Sequence, residues 1–369
     1  MAKPQIMFWG SHRNLCSAIV VSELSYYPGD IEYAVDESEE MFRDIAEIIH
    51  SPAGLSRADF FDACKPGGKY DGIQAIYRRD HTTLGLCDRD LIEGLPTSVK
   101  WIAQMSAGYD QIDISACKKK GVYVSNTPGA VDEATATTAL YLMISALRRF
   151  PQAERHARDG QWRVGHDVNT SHDLSGCTIG ILGLGGIGMK LAEYAHVFPM
   201  RVLYHSRRKV EDAPEWCEYF EKERLEEMLG MADVLSIHIP LTKGNENYVD
   251  EKMIRALKKG AIIVNTARGG VMDDEALIGA LTDGHLNGAG LDVFPEEPRI
   301  NPRLIELPNV AILPHIGTGT YDTLKKMEIV ALENIRDFLL TGIGKTVVPE
   351  MRDWSPSQRD SYGVDIPTR

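Results

Sequence analysis

The chain has 369 residues, 43% hydrophobic and 25% charged, and a formal net charge of −13. A single hydrophobic core rarely grows past about 250 to 300 residues, so the length predicts two domains. The acidic balance argues against a nucleic-acid partner, and with no apolar run near the roughly 20 residues of a membrane span, no membrane partner is expected either.

The opening MAKPQIMFWG places one Lys before a short apolar stretch ending at Gly10, too brief and badly flanked for a signal peptide, so a cytoplasmic protein is expected. From there to about residue 130, short apolar runs alternate with helical or loop stretches: Gln5 to Trp9, Ile31 to Val35, Gly72 to Tyr77, Val99 to Met105 and Val122 to Ser125. Such alternation predicts an α/β domain with a parallel sheet. The run 131–150 opens with acids and closes with Arg148 and Arg149 ahead of Pro151, the charge order that suits a helix dipole, and a long helix is expected there. Asp159 to Ser175, rich in Gly, Asn, Ser and Asp, reads as a loop approaching the second domain.

At Thr178 the alternation restarts with cleaner runs, TIGIL, RVLYH, VLSIHI, AIIVNT, GAGLDVF and VAILP, which predict a second doubly wound parallel sheet. The tail after about 350 is polar and without pattern, and is expected to be loosely held. Six cysteines (Cys16, Cys64, Cys87, Cys117, Cys177, Cys217) stand singly, with no CxxC pair and no zinc-type spacing, so reduced thiols and no metal are expected.

The strand TIGIL runs into Gly183-Leu184-Gly185-Gly186-Ile187-Gly188, a helical stretch and the strand RVLYH. A GxGxxG turn within a complete βαβ unit is a dinucleotide signature: the glycines allow the tight turn and close backbone approach, and the helix N-terminus offers free N–H groups to a pyrophosphate. The next strand ends in Ser206-Arg207-Arg208-Lys209 with no acid. An acid there would accept from a ribose 2′-OH, whereas a hydroxyl and three cations suit a 2′-phosphate, so NADP(H) is expected, with NAD as the alternative. The fingerprint lies halfway along the chain, so the cofactor domain is either an insert or the C-terminal half.

Ligands of open α/β sheets lie off the carboxyl ends of the strands, which selects Gly183, Ser206, His238 with Pro240, Arg268, Asp292 with Glu297, and His315. Each has an ordinary reading as a surface ion-pair former, a packing residue or a turn acid. Their joint placement past successive strands suits reduction of a 2-oxo acid. Arg268 offers a planar fork for the carboxylate, His315 a proton donor that titrates near neutrality, and Glu297, or alternatively Asp292, an orienting carboxylate for the imidazole.

The motifs MSAGYDQID (105–113), NTPGAVDEATA (126–136), GILGLGGIG (180–188), NTARG (265–269), GLDVFPEEP (290–298) and LPHIG (313–317), in this order over roughly 70–345, resemble the D-isomer-specific 2-hydroxyacid dehydrogenase family. Glyoxylate/hydroxypyruvate reductases of that family are similar at the SRR turn, and fungal D-mandelate dehydrogenase in the TALYLMISALRR helix. The resemblance implies Arg268, Glu297 and His315 as the catalytic trio. It implies Ala107 and Gly108 as backbone N–H donors to the substrate carboxylate, Thr266 and Asp292 on the nicotinamide side, and Ala267 among the cofactor-binding residues. Leu184 to Ile187, Ser206 to Arg208 and Gly317 would line the dinucleotide. It further implies a homodimer and a Rossmann cofactor domain (131–317) inserted in a flavodoxin-like substrate domain (1–130 plus 318–350), followed by a polar tail (351–369). The function expected is hydride transfer between NAD(P)H and C2 of a small 2-oxo/2-hydroxy acid. The alternative is a dimeric NAD(H)-sensing protein like the corepressors of the same family. A formate dehydrogenase is not expected, because that branch would carry Gln at the position of Glu297.

Overall fold

The computed structural model describes residues 3–9, 31–52, 54–79, 84–164 and 168–355; Gly10, Cys16 and the tail beyond 355 lie outside the described residues. The chain divides into two compact units, one formed by Met1–Val131 with Thr320–Arg369 and the other by Asp132–Gly319.

The first unit carries strands β1 (Gln5–Trp9), β2 (Glu47–His50), β3 (Ile73–Arg78), β4 (Trp101–Gln104) and β5 (Tyr123–Ser125), paired in the order β2-β1-β3-β4-β5. All its pairings are parallel. Ile6, Met7, Phe8, Ile76, Trp101 and Ile102 are almost fully buried, as expected for parallel strands covered on both faces. The helix Tyr321–Thr341 returns to this unit, and Phe338 stacks on Trp101 at 5.2 Å between ring centroids. On the same helix Glu328, fully buried, accepts the backbone N–H groups of Glu32 (3.0 Å), Tyr33 (2.8 Å) and Ala34 (2.8 Å).

The expected strand Ile31 to Val35 is therefore a correction. Residues 31–34 form no strand, because three of their amides are taken by the Glu328 carboxylate, and a helix, Val35–Phe42, opens at Val35 with Asp36 and Glu37 in its first turn. The adjacent strand is β2, twelve residues further on. The expected loose tail is also corrected over its first residues: Met351 is buried and its sulfur accepts the Val124 N–H, while Trp354 packs on Tyr123 at 4.8 Å and accepts the Tyr123 hydroxyl at its carbonyl.

The second unit carries β6 (Thr178–Leu182), β7 (Arg201–His205), β8 (Cys217–Phe220), β9 (Val234–Ile237), β10 (Ala261–Asn265), β11 (Leu286–Leu291) and β12 (Val310–Ile312), in the order β12-β11-β10-β9-β6-β7-β8. Reading outward from β6, the order reverses between β7 and β9, the switch point at which dinucleotides bind in such sheets. Two hydrophobic clusters pack this unit. Leu203, Leu235, Ile263 and Ala289 belong to one, Ile179, Ile181, Val202 and Val264 to the other, the alternation expected along strands covered on both sides. The helix Asp132–Arg148 contributes Ala139, Leu142 and Met143 to the second cluster. The helix Phe150–Arg158 follows it, with Pro151 in the first turn, where the missing N–H costs nothing. No helix among the described residues is long and apolar enough to cross a membrane.

Candidate active site

The fingerprint turn is built as its glycines require. Gly183 leaves β6 at φ 98°, and a Cβ there would meet the His238 carbonyl oxygen at 2.9 Å; a Cβ at Gly188 would run into the Gly183 carbonyl oxygen. Gly185, the cap of the helix Gly186–Val197, faces open space and leaves its backbone accessible to a ligand, while the Asp132 carboxylate lies against Gly186. At the end of β7, Ser206 Oγ donates to the Arg208 carbonyl at 2.7 Å. Arg207 and Arg208 are exposed and have no ion-pair partner among the described residues. Two exposed cations beside a hydroxyl fit an adenosine 2′-phosphate, which this residue set would hold by charge-assisted hydrogen bonds.

His238 follows β9. Its Nε2 is 2.8 Å from Ser236 Oγ, and desolvation pushes the imidazole down to about 4, so the ring is neutral at pH 7. Pro240 is exposed, and its carbonyl accepts from Asn245 Nδ2 at 2.7 Å.

After β10 the chain turns through Thr266, Ala267 and Arg268. Asn265 holds both sides of the turn: its Oδ1 accepts the Ala267 N–H and its Nδ2 donates to the Arg268 carbonyl, both at 3.0 Å. The hydroxyl of Thr266 is buried with no partner among the described residues. An unpaired buried hydroxyl costs about 1–3 kcal/mol, which a polar ligand group such as a carboxamide would relieve.

Asp292, just past β11, brackets the turn that carries the histidine. Its carbonyl accepts the His315 N–H at 2.7 Å, and its two carboxylate oxygens accept those of Ile316 and Gly317 at 2.8 Å each. Burial raises this carboxyl against the pull of the two N–H groups. The bracket holds His315 at φ 54°, a conformation that side-chain-bearing residues adopt only where their surroundings impose it.

His315 Nδ1 lies 2.6 Å from Glu297 Oε2, and the other carboxylate oxygen of Glu297 accepts the Phe294 N–H at 2.9 Å. A carboxylate accepts only, so Nδ1 carries the proton and Nε2 is the ring nitrogen left free of Glu297. The imidazole keeps 40% of its side-chain surface exposed. The hydrogen bond to Glu297 raises the imidazole above its ordinary value, opposed by desolvation and by Arg268. Burial alone would raise the Glu297 carboxyl, but His315, the Phe294 N–H and Arg268 together hold it below the ordinary carboxylate value. Of the two candidate partners for the imidazole, the hydrogen bond goes to Glu297; Asp292 serves the backbone. The structure thus brings Arg268, Asp292, Glu297 and His315 into one electrostatic cluster in the second unit.

Ala107 and Gly108 lie in the first unit, on the loop after β4. The Ala107 carbonyl accepts from Asn126 Nδ2 at 2.8 Å, and neither Ala107 nor Gly108 finds an acceptor for its N–H among the described residues. Asn126 and Asn265 are site residues not singled out from the sequence, although each stands in a family motif, NTPG and NTARG, where an amide side chain, able to donate and accept at once, is the available signal.

Comparison with known proteins agrees with this geometry. Residues 140–317 match the D-isomer specific 2-hydroxyacid dehydrogenase NAD-binding domain. The chain is 40% identical over 327 residues to 4-methyl-2-oxopentanoate reductase A of Aspergillus oryzae, covering 88% of this chain and 97% of that one. Its structure is similar to that of a glyoxylate reductase from Paecilomyes thermophila, with a TM-score of 0.84 and 36% identity over 95% of this chain and all of the other. It is also similar to an NADPH-dependent glyoxylate/hydroxypyruvate reductase of Sinorhizobium meliloti in complex with NADP and malonate, with a TM-score of 0.76 and 27% identity over 95% and 98% of the chains. The chain belongs to the D-isomer-specific 2-hydroxyacid dehydrogenase family and is an NAD(P)-dependent enzyme that interconverts 2-oxo and 2-hydroxy acids.

Proposed function

We propose that this enzyme is an NADPH-preferring reductase of small 2-oxo acids, with His315 as acid/base, Glu297 as its partner and Arg268 as the carboxylate-holding cation. The observation that carries the reading is the 2.6 Å contact between His315 Nδ1 and Glu297 Oε2. It orients the ring, leaves Nε2 free of the Glu297 carboxylate and raises the imidazole above its ordinary value, all of which favour a general acid for a carbonyl oxygen. The nicotinamide supplies the hydride when bound. The protein then has two tasks. Arg268 holds the carboxylate and draws charge from the carbonyl; His315 delivers a proton to the oxygen through Nε2 and, in the reverse direction, removes it. Glu297 stabilises the imidazolium in one direction and reorients the neutral ring in the other.

The preference for NADPH rests on Ser206, Arg207 and Arg208, and the S. meliloti reductase crystallised with NADP is a relative in which that cofactor is bound. The dinucleotide would lie on Gly183 to Gly188, with His238, Pro240, Thr266, Ala267, Asp292 and Gly317 towards its nicotinamide half. Arg268 in the second unit, and the N–H groups of Ala107 and Gly108 in the first, are each proposed as groups that bind the substrate carboxylate. The enzyme is also proposed to act as a homodimer: Tyr141 and Ile305 are exposed on an apolar groove of the second unit, near exposed Phe150, a surface that a second copy would cover. Oxidation of NADPH and NADH at 340 nm, run in parallel against 2-oxo acids from glyoxylate and hydroxypyruvate to 4-methyl-2-oxopentanoate and benzoylformate, tests the reading. Turnover with NADPH ahead of NADH is expected. Silence across the panel, with cofactor bound, would overturn it.

A further inference from the structure

The two N–H groups assigned to the substrate carboxylate stand on a loop held largely by the rest of the first unit. Residues 105–112 leave the end of β4 with no helix or strand of their own; their far end is tied by backbone bonds, the Ile112 N–H to the Tyr109 carbonyl at 3.0 Å and the Cys87 N–H to the Gln111 carbonyl at 2.9 Å, and the stretch that carries Ala107 and Gly108 is held from outside the loop. A trans peptide points its C=O and the following N–H in opposite directions, so whatever fixes a carbonyl also aims the next N–H. The Ser106 carbonyl accepts the Thr127 N–H at 3.0 Å, and the Ala107 carbonyl accepts Asn126 Nδ2 at 2.8 Å. The N–H groups of Ala107 and Gly108 are thereby turned away from Asn126 and Thr127. Asn126 is itself held from the C-terminal segment: its carbonyl accepts Thr346 Oγ1 at 2.5 Å, and Thr346 is locked to Asn334 by two hydrogen bonds.

The ends of the loop are gathered by Arg78, fully buried at the end of β3. Its Nη1 donates to Gln104 Oε1 at 2.6 Å, before the loop, and its Nη2 to Gln111 Oε1 at 2.9 Å, near the loop's close. Its carbonyl accepts the Met105 N–H at 2.8 Å. A planar guanidinium can bridge two acceptors seven residues apart in a fixed geometry that a lysine, with one flexible point charge, cannot reproduce.

We propose that Asn126 and Arg78 are positioning residues for substrate recognition: the first aims the Gly108 N–H, and the second fixes the span of the loop that carries both donors. The inference rests on the assignment of Ala107 and Gly108 to the substrate carboxylate. The test compares the best 2-oxo acid of the panel with its primary amide, in the native enzyme and in Asn126→Ala, Arg78→Lys and Arg78→Met, together with NADPH affinity by fluorescence.

Asn126→Ala is expected to raise KM for the acid on the order of tenfold, with a smaller change in kcat, a lowered acid-over-amide preference and an unchanged NADPH Kd. Arg78→Lys should fall between the native enzyme and Arg78→Met, and it carries the test should Asn126→Ala fail to fold. Folded variants that keep the native acid-over-amide preference, or lose NADPH affinity in step with KM, overturn the proposal. A native enzyme with no preference for the acid overturns the carboxylate assignment instead, and the two failures are thus told apart.

Discussion

The fingerprint turn of the second unit and the loop 105–112 of the first present N–H groups outward by different means. At Gly183 to Gly188 the backbone is shaped by the glycines themselves within six consecutive residues, with φ 98° at Gly183 and no room for a side chain at Gly188. At 105–112 it is shaped by Arg78, Asn126, Asn334 and Thr346, residues up to 220 positions from their partners. A site written in backbone conformation is local and survives most changes around it. A site held by side-chain braces depends on the whole unit being folded.

The largest effect is expected in the second unit, at its catalytic cluster. His315→Ala should lower kcat by about 10²–10⁴-fold, the usual worth of a positioned acid/base, while NADPH binding stays near native because the fingerprint turn is untouched. Parallel loss of both in steady-state and fluorescence measurements would show that the two parts of that unit are not separable. The pH profile sharpens the same point. The raised imidazole must be protonated to reduce a 2-oxo acid, so reduction holds below its folded pKa and falls as pH rises through it; oxidation follows the opposite course. In Glu297→Gln the main cause of the raised value is gone, and the falling limb of reduction should move to lower pH; a limb that stays in place would remove Glu297 as its partner.

A smaller effect is expected at the 2′-phosphate end. Arg207→Ala should weaken NADPH on the order of tenfold and leave NADH nearly unchanged, since only a phosphate makes the charge-assisted contact. Equal weakening of both would assign the cation to surface solvation.

The smallest effect on chemistry, and the clearest on stability, belongs to the first unit. Glu328 accepts three backbone N–H groups of residues 32–34, and a glutamine would turn an NH₂ towards donors. Glu328→Gln should destabilise the protein by about 1–3 kcal/mol in denaturant unfolding. Hydrogen exchange should show residues 32–34 losing protection while β6 to β12 keep theirs. Uniform loss in both units would erase the contrast between local and long-range construction.

What the sequence determined by itself was whatever is written in consecutive residues. The strands TIGIL and RVLYH end where they were expected, because central parallel strands are apolar on both faces and their runs are unbroken. The glycine fingerprint was legible for the same reason, and so was the end-of-strand placement of Arg268, Asp292 and His315. Two of the four edge strands were not: β2 reads EIIH and β8 reads CEYF, neither a continuous apolar run, whereas β5 and β12, also at sheet edges, lie within the expected runs Val122 to Ser125 and VAILP. Ile31 to Val35 has strand-like residues, yet a carboxylate from almost 300 positions away takes its amides.

The choice between Glu297 and Asp292 was likewise open in the residues themselves, since both lie just past β11, and only the family resemblance pointed to Glu297. The tertiary structure gives the physical ground, by bringing His315 Nδ1 to Glu297 and giving the Asp292 oxygens to the backbone N–H groups of residues 316–317. Carboxylate partners are chosen by direction at hydrogen-bond distance, and no local pattern of residues records that direction.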